Sequence, residues 1–198
     1  MIVAIVLAAG KSQRMGAQKL LLPLKGVPVI TRVVDEVLAS PVDEVLVVVG
    51  QDRAAIEHAL QGRPVQLAVN PEVGGEMLSS VRRGLRALSS QARAALVVLG
   101  DQPAISRAVV AELVLASDRR GGGIAVPTFQ GKRGHPLLLS TAYSDEILRS
   151  YDAVGLRGLL KTYARDVIEV PVSVPGILED LDLPADYLRM CRARRTDW

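Results

Sequence analysis

Apolar residues along the chain fall into two alternating patterns. Non-alternating runs rich in Val, Ile, Leu and Ala occur as IVAIVL (2–7), EVLVVVG (44–50), VQLAV (65–69), AALVVLG (94–100) and GIAVP (123–127). Such runs predict strands buried on both faces. Between them, residues 28–39, 53–60, 77–88 and 106–116 carry apolar side chains at three- and four-residue spacings, as in Ile30, Val33, Val34, Val37 and Leu38. These predict helices that bury one stripe. Strands alternating with helices give a mainly parallel, three-layer α/β sheet with right-handed crossovers.

The rhythm breaks after Val126. PTFQGKRGHPLLLS carries Gly131, Gly134 and Pro136 and predicts a turn leading into a short strand at 137–139. Helical patterns resume at 142–148 and 156–163. VIEVPVSV (167–174) predicts a late strand whose Pro171 favours a sheet edge or a bulge. Residues 184–195 predict a final helix. With no internal repeat, low-complexity segment or linker, residues 1–198 are expected to form a single domain.

Composition narrows the function classes. At 198 residues, 49% hydrophobic and 23% charged, the chain can build one substantial core and needs no long disordered stretch. A net charge of +3 suits anionic small molecules without implying nucleic acid, and 3% aromatic residues leave few faces on which bases could stack. Nucleic acid is therefore not the expected partner. The sole cysteine, Cys191, has no internal disulfide partner, and His58 and His135 are too far apart in sequence for a Cys/His metal cluster. No apolar run reaches membrane-spanning length, and the apolar start lacks a basic n-region. The expectation is a soluble, cytoplasmic protein with no membrane partner.

Candidate chemistry sits where strands end, because ligands of open α/β sheets collect beyond the carboxyl ends of strands near the point where strand order reverses. After the first strand comes LAAGKSQRMGAQK (7–19). Its glycine spacing fits neither the Walker A loop nor the dinucleotide fingerprint. Ala8, Ala9 and Gly10 let a ligand approach the backbone, and Lys11, Arg14 and Lys19 give a local positive charge suited to a polyphosphate, the alternative being an ordinary solvated loop. After the 94–100 strand comes GDQP, in which Asp101 is either a Mg²⁺ ligand or a helix cap. NPEVGGEMLSSVRRGL (70–85) offers Asn70, Gly74, Gly75 and Ser80 to a nucleobase edge, or a plain turn with Ser79 capping the next helix. Arg82, Arg83 and Arg86 read as a solvated helix face. GKRGHP (131–136) holds His135 between glycine and proline, either presented to a site or structural. In EDLDLPADY (179–187), Asp180 or Asp182 could complete a metal site with Asp101, or Asp182 and Asp186 could serve the start of the last helix.

Taken together and in this order, the five motifs resemble the nucleotidyltransferases, and in particular the molybdenum cofactor cytidylyltransferase family and its guanylyltransferase relatives. The resemblance covers nearly the whole chain. It implies a Rossmann-like, glycosyltransferase-A-like nucleotide-diphospho-sugar transferase fold. It lays Leu7, Ala8, Ala9 and Gly10 along the nucleotide, sets Asn70, Gly75 and Ser80 on its base side, and brings Arg14 and Lys19 to the triphosphate. Asp101 would hold Mg²⁺ with Asp182 as the second ligand and Asp180 in reserve, and His135 would lie on the acceptor side. Related guanylyltransferases usually have LAGG where this chain has LAAG, which tilts the nucleotide toward CTP. One departure is Leu183, which stands where relatives commonly carry Thr and which cannot cap the final helix, a loss of about 1 kcal/mol.

The reaction so implied is in-line attack by an acceptor phosphate on the α-phosphorus of CTP, with pyrophosphate leaving and no strong general base required. Molybdopterin is the acceptor that the resemblance favours. The rivals are GTP as donor, a sugar or polyol phosphate as acceptor, and a non-catalytic nucleotide-binding protein that delivers cofactor to a molybdenum hydroxylase client.

Overall fold

The computed structural model describes residues 1–10, 15, 17–72 and 76–192. In chain order the elements are β1 (Ile2–Ala8), β2 (Pro23–Leu24), β3 (Val27–Pro28), α1 (Val29–Leu38), β4 (Glu44–Val49), α2 (Arg53–Ala59), β5 (Gln66–Val69), α3 (Met77–Arg86), β6 (Ala94–Leu99), α4 (Arg107–Arg120) and β7 (Ile124–Phe129). They continue with β8 (Lys132–Arg133), β9 (Leu137–Ser140), α5 (Ser144–Arg149), α6 (Leu156–Thr162), β10 (Val167–Pro171) and α7 (Pro184–Arg192). Each strand and helix expected from the apolar pattern is present, and their ends differ by a few residues. The pattern did not foretell the β2 and β3 hairpin or β8, whose strands are two residues long and too short to carry a period.

Seven strands lie in the order β10, β7, β9, β6, β1, β4, β5, with β8 paired to β7. Pairing is parallel except for β9, which runs antiparallel to both β6 and β7, and β8. The break in rhythm seen after Val126 is thus the insertion of an antiparallel strand into a parallel sheet. β10 is an edge strand ending at Pro171, where a missing N–H is tolerated.

Burial explains the non-alternating runs. In β1, Ile2, Ala4, Val6 and Ala8 face a core that contains Ile30 and Val33 of α1, Ile56 of α2 and Leu113 of α4. Val3 and Ile5 face the opposite core, with Leu78 and Val81 of α3, Ile147 of α5 and Leu159 of α6. Every β6 residue is buried. A third, smaller cluster joins Leu24, Val29, Leu181 and Met190 and packs the last helix on the β2 and β3 hairpin. Among the described residues no helix is long and apolar enough to cross a membrane.

The strand order positions the site. The chain leaves β1 through β4 and β5 on one side, then returns to β6 on the other, so the order reverses at β1 and a crevice opens between the ends of β1 and β6. Gly100 closes the base of that crevice. Its N–H donates to Leu7 O at 3.0 Å, and a Cβ there would sit 2.6 Å from the same carbonyl oxygen. Among the described residues, nothing lies within 4 Å of a Cβ at Gly10. Gly100→Ala is therefore expected to destabilise the fold by about 1–3 kcal/mol, as overpacking does. Gly10→Ala should stay within about 0.5 kcal/mol of the parent. Paired urea melts check the contrast, and equal midpoints would refute it.

Candidate active site

The GDQP turn leaves β6 at the crevice. Helix α4 begins later, with Ser106 as its N-cap accepting from Val109 N at 3.4 Å. Asp101 therefore caps no helix, and its carboxylate turns to Lys19. Lys19 Nζ lies 2.5 Å from Asp101 Oδ2 and 2.8 Å from Asp182 Oδ1. Its side chain is 13% exposed. Burial opposes the ammonium charge, but the two carboxylates outweigh that effect and hold the Lys19 pKa above its ordinary value.

Three distant segments thus meet on one cation. Lys19 begins a single 3-10 turn, Lys19–Leu21, whose Leu20 is buried in the core. The closing acidic segment is fastened from both sides: Leu181 N donates to Asp101 O at 3.1 Å, and Gln102 Nε2 donates to Asp180 Oδ1 at 2.6 Å. Tyr187 Oη also donates to Pro23 O at 2.6 Å, which fixes α7 on the hairpin. Asp182, rather than Asp180, is the residue that shares Lys19 with Asp101. Desolvation raises the Asp180 pKa; its bond from Gln102 works against this, and the charges of Asp101 and Asp182 add to the rise.

The start of α7 shows how the chain manages with Leu183. Asp186, in the first turn, accepts from Leu183 N at 2.8 Å and Asp182 N at 3.3 Å, which lowers its own pKa. The first-turn carboxylate reaches back to N–H groups at the helix start, as in half of a capping box. Of the two acids weighed for that task Asp186 performs it, and the Asp182 carboxylate remains on Lys19.

On the base side, Asn70 Nδ2 donates to Ser79 Oγ at 2.9 Å and Ser80 Oγ at 3.1 Å, while Asn70 Oδ1 accepts from Glu72 N at 3.1 Å. Ser79 lies inside α3, whose N-cap is Glu76. These bonds tie the chain just after β5 to the first turns of α3. Leu7, Ala8 and Ala9 lie at the end of β1 with Gly10 exposed beyond them. Arg14 and Gly75, together with Lys11 and Gly74, lie outside the described residues.

His135 lies beyond β8, with its N–H on Ile177 O at 3.0 Å. A Cβ on Gly134 would collide with that same carbonyl, so the glycine lets the turn lie against Pro175–Leu178. His135 lines a cleft of about 1320 Å³ bounded by the start of α3, by β7 and β9, and by the chain from Tyr151 to Ala164. Arg157 and Lys161 add positive charge to its walls, Arg133 there is paired with Glu169 at 2.8 Å, Glu76 adds an acid at one edge, and Met77, Val154 and Leu156 supply apolar surface. Burial lowers the His135 pKa, Asp101 partly opposes this, and Arg157 lowers it further. The imidazole thus lies within electrostatic reach of both Asp101 and the cleft.

Sequence reasoning missed this cleft wall. Its one signal was the glycine-punctuated VGLRGL with Arg157 in its middle. Arg82 corrects another expectation. It is no solvated residue: its side chain is 16% exposed and its guanidinium bonds to Ile147 O and Ser150 O, at 2.8 Å each. Arg86 is exposed as expected.

A sheet whose order reverses at β1, with a carboxylate and lysine cluster at the reversal, defines a nucleotide-handling α/β protein of the nucleotide-diphospho-sugar transferase fold. The chain belongs to the MobA-like NTP transferase domain family, whose profile matches residues 4–167. It is 33% identical to purine catabolism protein PucB of Bacillus subtilis over 97% of both chains, and 26% identical to nicotine blue oxidoreductase of Paenarthrobacter nicotinovorans over 96% of both. A solved nucleotidyl transferase from Methanothermobacter, Mth528, superposes with a TM-score of 0.83 at 30% identity, covering 96% of this chain and 95% of that one. The chain is a nucleotidyltransferase of the MobA-like type.

His135 carries the pH signature of the site. Its folded pKa is below 6.5, so it contributes stability above pH 6.5 that is lost as the pH falls and the buried imidazole must take a proton. An NMR titration of the two histidines should show one midpoint below 6.5. Asp101→Asn should lower that midpoint further, because the carboxylate is what raises it. An unmoved or higher midpoint would show that the two groups do not interact.

Proposed function

We propose that the protein transfers CMP from CTP to a phosphorylated acceptor, with molybdopterin as that acceptor, and releases pyrophosphate. The observation that carries the reading is the convergence of Asp101 and Asp182 on Lys19 at the mouth of the strand-order reversal, beside a cationic cleft large enough for a second substrate.

The donor set fits Mg²⁺. Both ligands are hard carboxylate oxygens, and both lie within hydrogen-bond distance of the same point, the Lys19 ammonium. Among the described residues no group of three or more His, Cys, Asp or Glu side chains could hold a metal. The remaining ligands would therefore be triphosphate oxygens and water, as is usual for Mg²⁺. When bound, the ion supplies charge neutralisation at the phosphates and a template for in-line geometry.

The chain's own residues do the rest. Ala8, Ala9 and Gly10 let the nucleotide lie close to the backbone at the end of β1. Lys19, with Arg14, binds the triphosphate and offsets the charge that builds on the leaving pyrophosphate. The loop between Asn70 and Ser80, with Gly75, holds the base side. His135 stays neutral near pH 7 and orients the acceptor, whose phosphate is drawn by Arg157 and Lys161. A phosphate monoester is ionised near neutral pH, so the cleft needs no strong base.

The LAAG sequence supports CTP over GTP by analogy with the guanylyltransferases, and the modest net charge and few aromatics support a small-molecule site. This reading takes residues 1–198 as one nucleotidyltransferase domain, acting in the cytoplasm and passing its product to a molybdenum hydroxylase.

Pyrophosphate release measured with Mg²⁺, molybdopterin and each of the four nucleoside triphosphates, with the product identified by mass, tests the reading. CTP alone should support turnover. Asp101→Ala should abolish it while remaining folded, and Lys19→Met should slow it on the order of 100- to 1,000-fold. Full activity in Asp101→Ala, or turnover with a sugar phosphate but not with molybdopterin, would contradict it.

A further inference from the structure

We infer that Arg82 is a positioning residue that sets the acceptor wall of the cleft from the nucleotide-side helix; this rests on the proposed reading of the cleft as the acceptor site. Arg82 lies in α3, the helix that begins at Met77 directly after the base-side loop. It crosses to a segment 65 to 70 residues away in sequence. Its Nε donates to Ile147 O and its Nη2 to Ser150 O, both at 2.8 Å, and its Nη1 donates to Asp152 Oδ1 at 2.5 Å.

These acceptors lie at one place in the fold. Ile147 is in the last turn of α5 and Ser150 is its C-cap, where carbonyls lack partners within the helix and where the helix dipole favours a cation. The chain then turns at Tyr151, whose φ of 79° is rare for a residue with a side chain. It passes through Asp152, Ala153 and Val154, all exposed, and reaches Gly155 at φ 61°. Tyr151, Val154 and Gly155 line the cleft.

The strap is held in other ways too, with Tyr151 packed on the core that contains Leu78 and Val81 of α3. Val154 N and Gly155 N donate to Tyr151 O at 3.1 and 2.8 Å, bonds internal to the strap. The hydroxyls of Tyr151 and Tyr163 both donate to Glu146, which joins the strap to α5 and α6. Among the described residues Arg82 supplies the hydrogen bonds from α3 to this segment, added to the apolar packing of Leu78 and Val81 on the same side. Its guanidinium therefore helps set the acceptor wall against the helix whose first turn borders the same cleft. A planar fork that spans two carbonyls and a carboxylate suits this task, whereas a lysine offers one point of attachment.

A cap that merely stabilised α5 would lower overall stability and leave the substrates undistinguished. The positioning role instead separates them. In Arg82→Ala, amide exchange across 147–155 should quicken at least tenfold while exchange elsewhere in α3 is unchanged. The CTP Kd from calorimetry should be unaltered, and KM for molybdopterin should rise about ten- to 100-fold. Arg82→Lys should fall between parent and alanine variant. Asp152→Asn, which leaves both backbone bonds in place at an exposed position, should reproduce a smaller part of the effect and serves if the alanine variant does not fold.

Equal losses for CTP and acceptor, or unchanged exchange in 147–155, would overturn the inference. If the parent protein fails to turn over molybdopterin, the acceptor reading fails by itself. Exchange and CTP affinity then decide the role of Arg82: a local change at constant affinity supports it, and one spread through α3 overturns it.

Discussion

The Lys19 ammonium, held between Asp101 and Asp182, is the constraint around which the site is built. It joins the loop after β1, the turn after β6 and the segment before α7, three stretches that span nearly the whole sequence. Removing these charges from water is costly, and the pairing repays that cost only with good geometry and additional hydrogen bonds. The surrounding bonds supply that geometry: Leu181 N on Asp101 O, Gln102 on Asp180, Asp186 on the N–H groups of Asp182 and Leu183, and Tyr187 on Pro23. The small core of Leu24, Val29, Leu181 and Met190 holds the closing segment in place from below.

That arrangement also gives the site an electrostatic bias. Two carboxylates share one ammonium, and Asp180 stands close enough for its pKa to be raised by both. The adjoining cleft carries Arg157 and Lys161 on its walls, with Arg133 there paired to Glu169. A carboxylate pair next to a cleft with cationic groups suits a transfer in which a metal-bound triphosphate meets a phosphorylated acceptor. His135 feels both: burial, and less strongly Arg157, favour the neutral imidazole, while Asp101 works against them.

Much of the fold was legible because both periodicities are clear. Non-alternating Val and Ile runs gave the doubly buried strands, and the stripe containing Ile30, Val33 and Val37 gave α1. The five motifs identified the strand ends that carry polar chemistry, and the structure brings Lys19, Asp101 and Asp182 together from three of them. What escaped was held by long-range contacts without a local pattern. The β2 and β3 strands are two residues each, the strap at 151–155 has no regular structure, and Arg82 looks like any other arginine on a helix until Ile147 and Ser150 present their carbonyls. Asp186 likewise could be identified as the acid at the start of α7 only once Asp182 was seen on Lys19.

The central claim is the proposal that Asp101 and Asp182, which both bond to Lys19, can bind a divalent cation in competition with its ammonium. Manganese binding followed by EPR, in the absence of nucleotide, tests it most directly. Lys19→Gln removes the competing charge and should bind Mn²⁺ more tightly than the parent protein, and adding Asp101→Asn to that variant should remove the gain. Equal Mn²⁺ affinity in the parent and Lys19→Gln, or a gain that survives the loss of the Asp101 carboxylate, would contradict the account.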